Sequence, residues 1–303
     1  MTMPNFLILG VPKAGTTALY AYLNQHPQIY MSPNKEPHFF AFEGKKPDFC
    51  GAGDDQAWTN TSSVVDLQAY QQLFQGVSQE KAIGEASTQY LYIPQTPERI
   101  QHYLPQAKMI AILRHPVERA YSHFIYMRQN CRETLTDFAQ ALEAEEQRIK
   151  NHWAPAWHYQ QQGYYSVQLQ RYFNRFHRDQ IRIYLYDDWK RHPLTVFQDM
   201  LQFLDVDTRF VPDMNTRYHI INALPKNRNL YTFLTQENPI KTALRQLVPA
   251  QIRKPMAAKV YRKNFEKPQR LTAEMRRQFT PRFRDDILKL QDLLDRDLSH
   301  WLE

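Results

Sequence analysis

Short apolar runs alternate with longer segments of helical periodicity along most of this chain. Phe6-Leu7-Ile8-Leu9 is the first run, bounded by Asn5 and Gly10, and Ala18-Leu19-Tyr20-Ala21-Tyr22-Leu23 then reads as a helix. Runs this short, apolar at successive positions, mark strands covered on both faces, as in a parallel sheet between helices. The next strands are expected at Ile29-Tyr30-Met31, from Lys81 onward, over 108–113 and over 181–186. Helices are expected around 66–74, 97–103, 117–124, 135–150, from the Gly163-Tyr164-Tyr165 turn to Phe176, and over 193–204. Residues 43–80 are polar and poor in periodicity, so they read as a loop insertion ahead of the 66–74 helix. The pattern weakens over 211–270, and 271–303 reads as two terminal helices. With no repeat, low-complexity tract or linker, the expectation is one domain over 1–303. Its fold class is α/β, a central parallel sheet with helices on both faces.

Composition narrows this picture only a little. The 303 residues are 43% hydrophobic and 23% charged, enough for a sizeable core and against disorder. No run of about 18 apolar residues is present, so no membrane span is expected. The N-terminus enters a strand directly, without the pattern of a signal peptide. Cys50 and Cys131 form no disulfide framework and have no zinc-type spacing, which suits a reducing, cytoplasmic setting. The net charge of +7 is compatible with an anionic ligand. Between 241 and 270 stand nine Lys/Arg and one acid, Glu266, which reads as a solvated basic face or as a surface for an anionic partner.

The chemistry is concentrated at the ends of two strands. After the first comes Val11-Pro12-Lys13-Ala14-Gly15-Thr16-Thr17, a glycine-bearing loop that opens a helix. Loop and helix N–H groups, the helix dipole and a lysine together can hold a phosphate; an ordinary strand-to-helix turn is the plain alternative. Gly10 and Gly15 have the spacing of the nucleotide-triphosphate loop, but Thr16 stands where that motif has its lysine, and the lysine has moved to position 13. The 108–113 strand ends at Arg114, and Ser122 lies two turns into the next helix. A triphosphatase commonly places an aspartate for magnesium at such a strand end; an arginine and a serine suit a second phosphate without metal.

These segments resemble the sulfotransferases that use 3′-phosphoadenosine-5′-phosphosulfate (PAPS), over about 5–40 and 81–125 and more loosely elsewhere. PKAGTT is similar to their 5′-phosphosulfate loop and LRHPVERAYSHF to their 3′-phosphate segment. The resemblance implies a P-loop-like three-layer fold, PAPS as co-substrate and no metal. It implies Lys13, Ala14, Gly15, Thr16 and Thr17 at the 5′-phosphate and Arg114 and Ser122 at the 3′-phosphate, with Lys13 also at the bond that breaks. Glu36 matches the catalytic glutamate of heparan-type members, and His38 a histidine found there in some. Glu85, Ser87 and Tyr90 fit a strand-end Glu-Lys-[ST]-x-x-Tyr pattern, from which Ala86 departs. On this basis Glu85, His38 and Tyr90 are candidate acceptor contacts. Lys226 and Arg228 stand where family members close a basic loop over the nucleotide.

The resemblance leads to sulfuryl transfer onto a small-molecule or saccharide acceptor, with no nucleic-acid polymer as partner. Two other readings stay open: a P-loop kinase or NTPase, and a non-enzymatic anion-binding protein built on the basic 241–270 region. The lost lysine at Ala86 tilts the acceptor toward a small metabolite.

Overall fold

The computed structural model describes residues 2–51, 56–216, 223–227, 230, 231, 233, 260 and 263–303. Five parallel strands form the central sheet in the order β2-β3-β1-β4-β5: β1 Phe6–Gly10, β2 Ile29–Met31, β3 Ala82–Ala86, β4 Lys108–Leu113 and β5 Ile181–Leu185. β1 is the middle strand. Phe6, Leu7, Ile8 and Leu9 are fully buried, worth about 1.5–3 kcal/mol for each large side chain removed from water. The chain lays down one half of the sheet on one side of β1 and then crosses to the other. This leaves a switch point outside the carboxyl ends of β3, β1 and β4, where α/β sheets hold their ligands.

The helices cover both faces. In chain order they are α1 Thr16–Leu23, α2 Phe39–Phe42, α3 Gln56–Ser62, α4 Leu67–Gln72, α5 Thr96–Tyr103, α6 Pro116–Gln129, α7 Phe138–Glu143, α8 Glu145–Lys150, α9 Tyr165–Phe173, α10 Tyr186–Arg191 and α11 Pro193–Phe203. Two more, Ala273–Phe279 and Arg284–Leu294, lie near the C-terminus, and Trp301 anchors the end with no exposure. No helix among the described residues is long and apolar enough to cross a membrane.

Three segments differ from the expected pattern. The 135–150 segment is two short helices meeting at Ala144 rather than one. The interruption coincides with Glu145 turning inward, where its carboxylate accepts the N–H groups of Gln160 and Gln161 at 2.6 and 2.8 Å. The 43–80 insertion contains α3, whose QAWTNTS sequence has no apolar stripe to signal a helix. The strand expected over 181–186 ends at Leu185, and Tyr186 instead opens α10, which is held down by the buried Trp189.

Gly84 shows how tightly β1 and β3 meet. A Cβ there would stand 2.2 Å from the Phe6 ring. Gly84→Ala is therefore expected to lower stability by roughly 1–3 kcal/mol or more through overpacking. A urea unfolding curve checks this, and an unchanged midpoint would contradict it.

Candidate active site

Every loop that leaves the carboxyl edge of the sheet contributes to one cavity of about 500 Å³. The loop after β1 brings Pro12, Lys13, Gly15, Thr16 and Thr17; the segment after β2 brings Lys35, Glu36 and His38. The exit of β3 adds Thr88 and Gln89, β4 leads into Arg114, and α6 adds Ser122, His123, Tyr126 and Met127. These side chains are distant in sequence, and the parallel topology aligns their strand ends.

Gly15 precedes α1 in the left-handed region at φ +90°, and no side chain caps the helix. The first N–H groups of α1 thus lack a capping side chain, beside Thr16 and Thr17. Lys13 is itself left-handed at φ +70°, a conformation that costs a non-glycine residue about 1–3 kcal/mol. Its ammonium sits 4.3 Å from the centre of the Tyr126 ring. Burial, and then the charges of Arg114 and Lys35, lower the Lys13 pKa to about 8. Ala14 does not line the cavity as expected: its side chain is buried and its N–H donates to the Val11 carbonyl at 3.3 Å.

Arg114 ties the second phosphate-type segment to the first. Its Nη1 donates to the Lys13 carbonyl at 3.1 Å, it pairs with Glu118 at 3.3 Å, and its guanidinium lies 4.7 Å from the Tyr186 ring centre. Arg114 and Ser122 also line a neighbouring cavity of about 990 Å³ with Lys190, Lys267, Arg270 and Arg276. The two cavities thus share the Arg114–Ser122 wall, one on the Lys13 side and one rich in cations.

Across the first cavity, Glu36 and His38 are both left-handed, at φ +66° and +57°. The Glu36 carboxylate accepts the Thr88 N–H at 2.7 Å and the Thr88 hydroxyl at 3.1 Å, and pairs with Lys35 at 2.7 Å. Burial alone would raise its pKa; Lys35 and the Thr88 bond outweigh that and hold it below the usual carboxylate value. The His38 Nε2 is 3.7 Å from Glu36. Burial, against the pull of Glu36, lowers the His38 pKa to about 4, so the ring is neutral near pH 7.

Other expected site residues fall elsewhere. Glu85 and Tyr90 are fully buried behind the wall and do not line the cavity: Glu85, on β3, accepts from the Tyr70 hydroxyl, and Tyr90, in the turn beyond β3, packs against Phe40. Direct acceptor contact by these two is corrected accordingly. Lys226 is exposed beside the short ladder of β6 (Leu224–Pro225) and β7 (Phe265–Glu266), and lines neither cavity. Arg228 and most of the 241–270 region lie outside the described residues. Sequence reasoning missed Lys35, Thr88, His123, Tyr126 and Arg132 in the first cavity, and Lys190, Lys267 and Arg270 in the second. Tyr126 had a readable signal, since it lies one helical turn beyond Ser122 on the same face.

The Lys13 pKa carries a pH prediction. Lys13 loses its proton as pH rises through about 8, and a phosphate bound at that ammonium would draw the proton back. Affinity for adenosine 3′,5′-bisphosphate is expected to be level below that pH and to fall above it, with proton uptake on binding. Calorimetry in buffers of different ionisation enthalpy measures this, and Lys13→Met should abolish the step. A pH-independent affinity across that range would contradict it.

The sequence matches the family model described as "Sulfotransferase family" over residues 4–210. It is 28% identical over 216 residues to the mouse bifunctional heparan sulfate N-deacetylase/N-sulfotransferase 4, covering 69% of this chain and 23% of that protein. It is also 28% identical over 247 residues to mouse carbohydrate sulfotransferase 15, covering 67% and 44%. The chain thus spans less than half the length of these curated relatives. A crystal structure of a sulfotransferase from Alicyclobacillus acidocaldarius aligns over 100% of both chains with 34% identity and a TM-score of 0.76. With the family model covering two thirds of its length and a solved relative aligned end to end, this chain belongs to the sulfotransferase family.

Proposed function

We propose that the protein transfers a sulfuryl group from PAPS to a hydroxyl or amine of a saccharide or small-molecule acceptor, with Glu36 as general base. The observation that carries this reading is the placement of Lys13 and Glu36 in the walls of one cavity, beside the wall that Arg114 and Ser122 share with a second, cationic one. The residues fit the nucleotide: an uncapped helix start and two threonines for one phosphate, and an arginine, a serine and further cations for the other. When bound, PAPS supplies an activated sulfuryl group on its 5′-phosphate.

The protein's part in the transfer is to place charges and hold a proton. Glu36 takes the proton of the acceptor hydroxyl or amine as the new bond to sulfur forms, and Lys35 and Thr88 keep its carboxylate ionised and oriented. The neutral His38 ring adjoins it. Lys13 would offset the charge that grows on the 5′-phosphate oxygen as the sulfuryl group leaves it for the acceptor. Tyr126, Met127, Ala154, Ala156 and Trp157 give the cavity an aromatic and apolar side on which an acceptor can lie. The relatives named for heparan sulfate and carbohydrate favour a saccharide; the missing lysine at Ala86 favours a smaller molecule. The kinase reading has no comparable support, because β4 ends at an arginine.

The test is incubation with PAPS and two separate acceptor pools, unsulfated glycosaminoglycan oligosaccharides and small phenols, alcohols and amines, read by mass spectrometry. A product heavier by one sulfuryl group, formed together with adenosine 3′,5′-bisphosphate, is expected from one pool. Absence of both products above the protein-free rate would overturn PAPS as donor.

A further inference from the structure

Glu85 is a fully buried carboxylate that the transfer reaction leaves unused. Such a group is costly to bury, and it persists only with hydrogen-bond donors around it. Its donors are hydroxyls: Tyr70 at 3.2 Å, Ser87 at 2.9 Å, and Tyr90. Burial raises its pKa to about 7; the hydroxyl bonds oppose that rise and the charge of Glu36 adds to it.

The same hydroxyls do a second task. The turn that carries the proposed base runs from Glu36 to Phe40, and the N–H groups of Glu36, His38 and Phe40 each have a partner from the exit of β3. Glu36 N–H donates to the Ala86 carbonyl at 2.9 Å, and Pro37 has no N–H. His38 N–H donates to the Ser87 hydroxyl oxygen at 3.0 Å, and Phe40 N–H to the Tyr90 hydroxyl oxygen at 3.3 Å. α2 starts at Phe39 without a side-chain cap of its own. Two hydroxyls from the exit of β3 therefore stand in for the cap, beneath two residues held in left-handed backbone. A hydroxyl has one proton and can turn. It accepts reliably from a backbone N–H only when its proton is drawn elsewhere, and Glu85 draws the protons of both.

We propose that Glu85 is a positioning residue that orients the Ser87 and Tyr90 hydroxyls, and through them fixes the Glu36–His38 turn in its working geometry. The inference rests on the reading of Glu36 as the base. Replacing the Glu85 carboxyl by an amide, whose NH2 donates instead of accepting, lets the hydroxyls turn, loosens the N–H groups of His38 and Phe40, and misplaces the base while leaving the phosphate loop intact.

The test uses Glu85→Gln, Tyr90→Phe and their double variant in the full chain. Three quantities are measured: calorimetric binding of adenosine 3′,5′-bisphosphate, hydrolysis of saturating PAPS with water as the acceptor, and deuterium uptake over residues 36–42. Nucleotide affinity is expected to stay within about 2-fold while turnover falls about 10–100-fold, the usual effect of removing a group that orients a reacting residue. Uptake over 36–42 should rise in each variant, and the double variant should be no worse than the worse single, as expected for residues acting as one unit. Wild-type turnover and uptake in Glu85→Gln would overturn the proposal, and so would turnover and nucleotide affinity falling together. If Glu85→Gln does not fold, Tyr90→Phe, which loses one oxygen, decides by the same measurements. Full activity in Glu36→Gln would remove the underlying reading; an inactive Glu36→Gln beside a normal Glu85→Gln would remove only this inference.

Discussion

Lys13→Ala is expected to slow sulfuryl transfer by roughly 10²–10³-fold, the loss typical when one preorganised donor at a developing oxyanion is removed. Alanine bears the same left-handed strain at φ +70° as the lysine it replaces, so the loop's backbone energetics change little. The lost element is the ammonium between the phosphate loop and the Tyr126 ring. Because Thr16, Thr17, Arg114 and Ser122 remain, affinity for adenosine 3′,5′-bisphosphate should fall much less than turnover. Steady-state rates with PAPS alongside calorimetry separate the two effects. Equal losses in binding and rate would make Lys13 an anchor for the nucleotide and remove it from the bond that breaks.

Glu36→Gln is expected to cost about 10²–10⁴-fold in turnover, the range of a positioned general base, with nucleotide affinity kept. The amide is nearly isosteric and can still accept the Thr88 N–H, but it cannot take a proton. Its neighbour cannot readily replace it: burial holds the His38 pKa at about 4, which makes its imidazole a weak base. The residual rate of Glu36→Gln is the discriminating measurement. A substantial residual rate that is absent from the Glu36→Gln/His38→Gln double variant would transfer the base role to His38.

The sheet was largely legible in the sequence, for a physical reason. Strands buried on both faces must be apolar at every position, so Phe6–Gly10 and Lys108–Leu113 announce themselves, and the polar residues just beyond them mark the ligand edge. The phosphate-type loop was legible because its lysine, glycine and threonines are contiguous. Elements that owe their form to tertiary contacts were not: α3 has no stripe, and the break at Ala144 accompanies Glu145 binding N–H groups 15 and 16 residues away. The same limit applies to side chains. The resemblance of residues 85–90 to a family pattern names Glu85 and Tyr90 as contacts without saying which side chains face the cavity, and both support the wall from behind. Lys190, Lys267 and Arg270 come from separate parts of the chain, and no local spacing joins them to Arg114. Nor does anything in Asn34-Lys35-Glu36-Pro37-His38 reveal that two of its residues are left-handed.

Under the proposed function, the segment at Lys13–Thr17 and the pair Arg114 and Ser122 hold two phosphates as a single clamp. Its most direct test is the affinity of wild type and Arg114→Ala for adenosine 3′,5′-bisphosphate, adenosine 5′-monophosphate and ATP with magnesium. Wild type is expected to bind the bisphosphate without magnesium and at least about tenfold more tightly than the monophosphate, roughly one charge-assisted contact's worth. Arg114→Ala should bring the two together. Equal binding of bisphosphate and monophosphate by wild type, or tighter binding of ATP with magnesium than of the bisphosphate, would contradict it.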